Sequence, residues 1–252
     1  MSGAAGGPAP PDLDVVLTPG GLTEDGLSGR AVVVVDVLRA STTIVAALEN
    51  GARAVIPVAD KGEAGRLAAS LDADVSLLGG ERGGRTIAGY AAGNSPLEYT
   101  PEAVAGRTVV LTTTNGTAAM ARARGAADTA VGALTNAGAA AAFLRRALDD
   151  GRPATVLCAG AEGRVSLEDT LCAGLLVTRV VGDASGLSDS AQIAAALYRG
   201  SADRLALSIV GARHTRRLIA LGHADDVAFA ARIDASTALP VFRDGRLVLD
   251  GR

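Results

Sequence analysis

The stretch Ala31 to Glu49, AVVVVDVLRASTTIVAALE, constrains this chain more than any other, because four consecutive valines run directly into Asp36, Arg39, Ser41, Thr42 and Thr43. An unbroken β-branched run predicts a central parallel strand covered on both faces. Beyond the turn, Ile44, Val45, Ala47 and Leu48 fit one face of a helix. Such a turn lies at the carboxyl end of a strand and the amino end of a helix, where open α/β sheets bind ligands and free N–H groups attract anions. Asp36 there invites a cation, and Arg39 with the hydroxyls invites an anion. The plainer reading makes Asp36 a helix cap or the ion-pair partner of Arg39.

The same rhythm continues along the chain. Val15 to Leu17, Ala54 to Val58, Val75 to Leu78, Thr108 to Leu111, Thr129 to Val131 and Ala154 to Cys158 read as strands. Asp60 with Glu63 starts a helix to about Leu71, Asn136 caps one to about Leu148, and Ser166 with Asp169 opens one that buries Leu171, Leu175 and Leu176. Helices are predicted over Ser188–Arg199 and Ala202–Leu221, and closing strands over Asp226–Ile233 and Pro240–Leu249, the latter a hairpin through Asp244-Gly245. The predicted fold is α/β: a three-layer αβα sandwich with a mainly parallel, mixed sheet. Aligning Thr43 with Thr117 brings Gly51 onto Gly125, which is compatible with duplicated βαβ units. Residues 1–12, small and rich in Gly and Pro, read as a disordered tail, and 13–252 as one α/β domain that could comprise two lobes.

Composition narrows the function classes. With 2% aromatic residues and no tryptophan, a stacking platform for nucleic acid is disfavoured, and the net charge of −3 carries no clustered basic surface. Neither nucleic acid nor a membrane is an expected partner, no run approaches the length of a membrane span, and the ligand should be small and anionic. Two cysteines are too few for a disulfide framework, and the first residues lack a signal-peptide pattern, so a cytoplasmic protein is expected. A homodimer is compatible with the sequence.

Three further stretches carry chemistry. Gly79 to Pro96, GGERGGRTIAGYAAGNSP, reads as a flexible active-site loop bearing Glu81, Arg82, Arg85, Asn94 and Ser95, against the plainer reading of a turn-rich surface loop. Thr112 to Thr117, TTTNGT, offers hydroxyls and backbone N–H groups at a helix start, a phosphate cradle with no P-loop lysine; a Thr-rich cap with an Asn-Gly turn is the alternative. Glu168 and Asp169, in a first helical turn, could hold Mg²⁺ or merely satisfy the helix dipole. Cys158 and Arg164 have the spacing of a cysteine-phosphatase loop, but Glu162 would oppose the phosphate and Val165 replaces the expected hydroxyl, so Cys158 reads as a core residue. The two histidines are too few for a zinc site, and His214 reads as a solvated helix residue.

DVLRASTTI, GGER, GNSP, TTTNGT and SLED, in this order, give a chain that resembles the 2-phosphosulfolactate phosphatase family from about Leu13 onward. Ala91 departs from the acidic residue expected in its loop. The resemblance implies a Mg²⁺-dependent phosphatase that hydrolyses 2-phospho-3-sulfolactate to 3-sulfolactate and phosphate, a step of coenzyme M synthesis. The alternatives are a related phosphoester hydrolase on another small anionic substrate and a non-catalytic phosphoester-binding protein. By matching motif it implies Asp36, Arg39, Glu81 and Asp169 as catalytic candidates. Ser41, Thr42, Arg82, Asn94, Ser95, Thr113, Thr114, Asn115, Gly116 and Thr117 become substrate-binding candidates, and Asp36, Glu168 and Asp169 metal ligands. Arg39 and the Thr114–Thr117 turn would bind phosphate, with Arg82 or Arg85 on the sulfonate or carboxylate. A covalent aspartyl mechanism is weakened by Leu38, which stands where a second Asp would be needed.

Overall fold

The computed structural model describes residues 12–22, 26–72, 74–182 and 186–251. The expected N-terminal tail, apart from Asp12, lies outside them. The first half of the chain alternates β1 (Leu13–Val16), β2 (Ala31–Val35), α1 (Ala40–Glu49), β3 (Ala54–Pro57), α2 (Lys61–Ser70), β4 (Ser76–Arg82) and β5 (Arg85–Thr86). It continues through α3 (Pro101–Val104), β6 (Thr108–Thr112) and α4 (Gly116–Arg122). The second half runs through β7 (Asp128–Gly132), α5 (Ala137–Asp149), β8 (Ala154–Cys158), α6 (Leu167–Val181) and α7 (Asp189–Ser201). It ends with α8 (Leu205–Gly211), α9 (Arg213–Ala220), α10 (Ala224–Ala230), β9 (Pro240–Arg243) and β10 (Arg246–Leu249).

The strands form one sheet in the order β1-β8-β2-β7-β9-β10-β3-β6-β4-β5. β1, β8, β2 and β7 are mutually parallel, as are β3, β6 and β4. The β9–β10 hairpin pairs antiparallel with β7 on one side and with β3 on the other, so the two parallel blocks run in opposite senses. The predicted hairpin therefore joins the middle of the sheet instead of closing its edge. Positive φ at Asp244 (50°) and Gly245 (78°) supplies the turn its twist requires.

The valine run is buried on both faces, as its pattern predicts. Val33 and Val35 pack with α5, α6 and α7, whereas Val32 and Val34 join a second core with α1 and α4. That second core also takes Val109 and Leu111 of β6, so the α1–α4 layer spans both blocks, while Val110 on the opposite face packs under α2. Helices thus cover both sides of the sheet in a three-layer α/β sandwich.

Three expectations are corrected. Asp226–Ile233 is not a strand: α10 covers Ala224–Ala230, because Val227 and Ala230 lie one turn apart on a buried face and Asp225 and Asp226 suit a first helical turn. The helix predicted over Ala202–Leu221 breaks at Ala212, whose extended backbone (ψ 148°) separates α8 from α9. β4 extends through Gly79, Gly80, Glu81 and Arg82, so the first part of the glycine-rich stretch is strand and not loop. Its glycines permit close packing: a Cβ at Gly80 would collide with the Thr112 carbonyl of the neighbouring strand.

Candidate active site

The turns after β2, β4, β6 and β8 come together although the two blocks run oppositely. At the turn after β2, the Asp36 N–H donates to Ser41 Oγ (2.8 Å), whose hydroxyl is also 3.3 Å from the Val34 carbonyl, and Thr42 Oγ1 donates to the Val37 carbonyl (2.8 Å). These bonds fix the strand-to-helix corner. Behind it, Asp169 spans two turns: its Oδ1 accepts the Val37 N–H (2.8 Å) and its Oδ2 the Gly160 N–H (3.1 Å). On the other side, Glu81 Oε1 accepts the Thr114 N–H and its Oε2 the Gly84 N–H, both at 2.7 Å. Thr113 and Thr117 clasp each other, each backbone N–H donating to the other's hydroxyl (3.2 and 3.1 Å). Gly116 lets this corner approach the first, since a Cβ there would lie 2.5 Å from Asp36 Oδ2.

Between these corners is a cleft lined by Asp36, Arg39, Glu81, Asn94, Thr114 and Asn115, all sequence-predicted, together with Glu162, His214 and Arg217. The remaining predicted residues do not line it. Ser41, Thr42, Thr113 and Thr117 are buried in backbone bonds, and Gly116 packs on Asp36. Arg82 turns away, donating to the carbonyls of Glu81 and Ala59 and to Thr112 Oγ1. Arg85 is exposed on β5. Ser95 caps the following turn and donates to Asp226 Oδ1 (2.5 Å).

Asp226 is the main residue that sequence reasoning missed. Its carboxylate, 4% exposed, pairs at 2.7 Å with Arg39, itself 3% exposed, and Arg39 donates in addition to the Gly84 carbonyl (3.2 Å). His223 stands 3.4 Å from the same carboxylate. His214 was also undervalued: it is half-buried, with Nε2 3.0 Å from the Leu38 carbonyl, an acceptor that places the ring proton on Nε2. The available signals were weak, an ADD tripeptide at a helix start and the basic run Arg213-His214-Thr215-Arg216-Arg217.

Carboxyl groups crowd the interior, and burial favours their neutral forms. Burial pushes the Asp36 carboxyl up to about 7, reinforced by the charge of Glu81, while the Ala40 N–H opposes the shift. Burial likewise raises Asp169, with Asp36 and Glu168 adding to it, and raises Glu168. Both Glu168 oxygens are buried without a hydrogen-bond partner among the described residues. Cys158 is fully buried, its thiol raised well above the ordinary range by desolvation, as expected of a core residue.

Comparison with known proteins gives this geometry a context. A model of the family described as 2-phosphosulpholactate phosphatase matches residues 16–245. The chain belongs to that family. A protein of Symbiobacterium thermophilum named probable 2-phosphosulfolactate phosphatase is 42% identical over 225 residues, covering 88% of this chain and 95% of the relative. One of Gloeobacter violaceus with the same name is 42% identical over 208 residues, 82% of this chain and 86% of the relative. A third, from Caldanaerobacter subterraneus, is 36% identical over 225 residues, 89% and 92% of the two chains. The matched span contains every element of the cleft, from Asp36 to Asp226.

Proposed function

We propose that the chain is a Mg²⁺-dependent phosphatase that hydrolyses 2-phospho-3-sulfolactate to 3-sulfolactate and phosphate, a reaction of the coenzyme M biosynthetic type. The observation that carries this reading is the convergence of Asp36, Arg39, Glu81, Thr114 and Asn115 on one cleft in a member of this family. Phosphate-ester hydrolysis needs groups that hold the phosphate oxygens, a neutralising cation and an activated attacking group.

The donor set favours a cation. Among the described residues no three His, Cys, Asp or Glu side chains form a closed metal cage. Mg²⁺ does not need one, since it is commonly held by one or two carboxylates with water and substrate phosphate completing its shell. Asp36, which lines the cleft, and Glu168, whose oxygens find no hydrogen-bond partner among the described residues and which lines the adjoining space, are the carboxylates that would fit that role. Asp169 spends both oxygens on backbone N–H groups and braces the corner from behind. When bound, the ion neutralises phosphate charge.

The protein's own residues do the rest. Arg39, fixed by Asp226, directs positive charge at the phosphate. Thr114 and Asn115 border the phosphate from the second corner, whose position Glu81 locks. Asp36, which a cation would keep ionised against the burial that otherwise raises its carboxyl to about 7, can take the proton of a water attacking phosphorus while the P–O bond to the sulfolactate oxygen breaks and that oxygen takes a proton from solvent. Turnover of 2-phospho-3-sulfolactate, with and without exhaustive chelation, tests the reading. The expected result is activity that EDTA abolishes and Mg²⁺ restores. Undiminished turnover in chelator removes the metal, and no turnover in Mg²⁺ removes the substrate.

A further inference from the structure

A second chamber adjoins the cleft, with Glu162, His214 and Arg217 bordering both. Three arginines line it: Arg164 from the turn after β8, and Arg213 and Arg217 one turn apart on α9. Arg217 pairs with Glu162, an exposed ion pair across the boundary, and Glu162 is held below the usual carboxylate range by it. Arg164 and Arg213 have no ion-pair partner among the described residues. Opposite these three cations stand two lining carboxylates, Glu162 and Glu168, so the chamber keeps a positive surplus even with both ionised. The neighbouring cleft has no such surplus, since Asp36, Glu81 and Glu162 face Arg39 and Arg217. The arginines first considered for a second acid group are elsewhere: Arg82 is spent on carbonyls and Arg85 lines neither space.

We propose that this chamber receives the second oxyacid group, sulfonate or carboxylate, of a substrate whose phosphate lies at Asp36. Arg164 and Arg213 determine specificity, and Glu162 is the resident counter-ion of Arg217 that the acid group displaces. The assignment rests on the phosphatase reading above. A planar guanidinium presents paired donors to a planar or tetrahedral oxyacid. Exchanging an exposed carboxylate for a substrate acid costs little, because exposed pairs are weak. A substrate lacking the acid would leave the chamber's cations unanswered, which is how a polar site rejects a neutral analogue.

Arg164→Gln and Arg213→Gln, each checked for an unchanged melting temperature, test the proposal with three phosphoesters: 2-phospho-3-sulfolactate, 2-phospholactate and glycerol 2-phosphate. We expect kcat/KM for the sulfonated substrate to fall about 10- to 100-fold, mainly through KM, and that for glycerol 2-phosphate to change less than about threefold. If 2-phospholactate falls with the sulfonated substrate, the chamber takes the carboxylate; if it follows glycerol 2-phosphate, the chamber takes the sulfonate. Equal loss on all three substrates, or loss on none, overturns the proposal. Calorimetric binding of 3-sulfolactate separates this result from the phosphatase reading. Arginine-dependent binding by a chain that turns over no phosphoester would remove that reading and retain the chamber. Binding unchanged in Arg213→Gln, or absent from the unaltered chain, would remove the chamber whatever the turnover.

Discussion

The corner after β2 and the corner after β6 follow one pattern, a valine-rich strand, hydroxyl residues and a buried helix, yet they face the cleft differently. In both, hydroxyls hold backbone: Ser41 and Thr42 in the first, Thr113 and Thr117 in the second. What remains for a ligand is Asp36 with Arg39 on one side and Thr114 with Asn115 on the other. One corner therefore contributes charge, and the other contributes neutral polar groups on a backbone locked by Glu81. The difference teaches that conserving a corner's shape and supplying its chemistry fall to different residues within the same short motif.

The largest effect should follow from breaking the charged corner. Asp36→Asn keeps shape but removes the carboxylate, and we expect kcat to fall by roughly 10²-fold or more with the fold intact. Stability should move the other way. The folded-state value of Asp36 is about 7 against an ordinary 3.8, so its charge weighs against the fold increasingly as pH rises between those values. In chelator the variant should melt higher than the unaltered chain at about pH 8 and at the same temperature at about pH 3, below both values. Equal melting at both would show that Asp36 carries no such burden.

Next in size is Asp226→Asn, which leaves Arg39 in place but weakens the partner that aims it. Loss of one charged partner from a buried pair is expected to cost about 2 kcal/mol of stability and roughly tenfold in kcat/KM. Denaturant unfolding and steady-state kinetics check the two halves, and normal kcat/KM would show that Arg39 does not act at the phosphate. The neutral corner should respond less: Thr117→Val removes the hydroxyl that accepts the Thr113 N–H, with about 1 kcal/mol of stability lost and kcat held within about threefold. A hundredfold loss of kcat in a folded Thr117→Val would mean that this hydroxyl meets the phosphate directly.

Much of this arrangement was legible in the chain. The valine run, Asp60 capping α2, the Asp244-Gly245 turn and the Ser166 cap all act as their residue types require. The gathering of Asp36, Arg39, Glu81, Thr114 and Asn115 follows likewise, because each lies at a strand's end or in the turn after it. Whether a turn hydroxyl holds backbone or ligand was not legible, since Thr113 and Thr114 are adjacent and chemically alike but differ in which way the corner points them. Asp226, His214, Arg213 and Arg217 come from helices far along the chain, and only tertiary packing brings them beside the cleft and its neighbouring chamber. Glu81 was misjudged for a local reason: glycines at 79 and 80 suggested a loop, whereas they let β4 pack tightly against β6.

The smallest effect is expected at the third corner, after β8, and it sharpens the contrast because a potential nucleophile stands there. Cys158 pairs in register with Val35, one residue before Asp36, so it belongs to the last strand position and not to the turn. Its side chain lies in the core with Leu171, Leu175 and Val35, fully buried, and its thiol is pushed away from ionisation by burial, with the charge of Asp169 adding to the shift. A thiolate nucleophile needs the reverse, a lowered pKa and access to substrate. Cys158→Ser exchanges a weakly polar thiol for a hydroxyl in an apolar site, which should cost about 1–2 kcal/mol of stability while kcat stays within about twofold. Steady-state kinetics below the melting transition decide it: a fall of several orders of magnitude in a folded variant would move the reaction from Asp36 to the thiol, and an active variant leaves the charged corner as the seat of the chemistry.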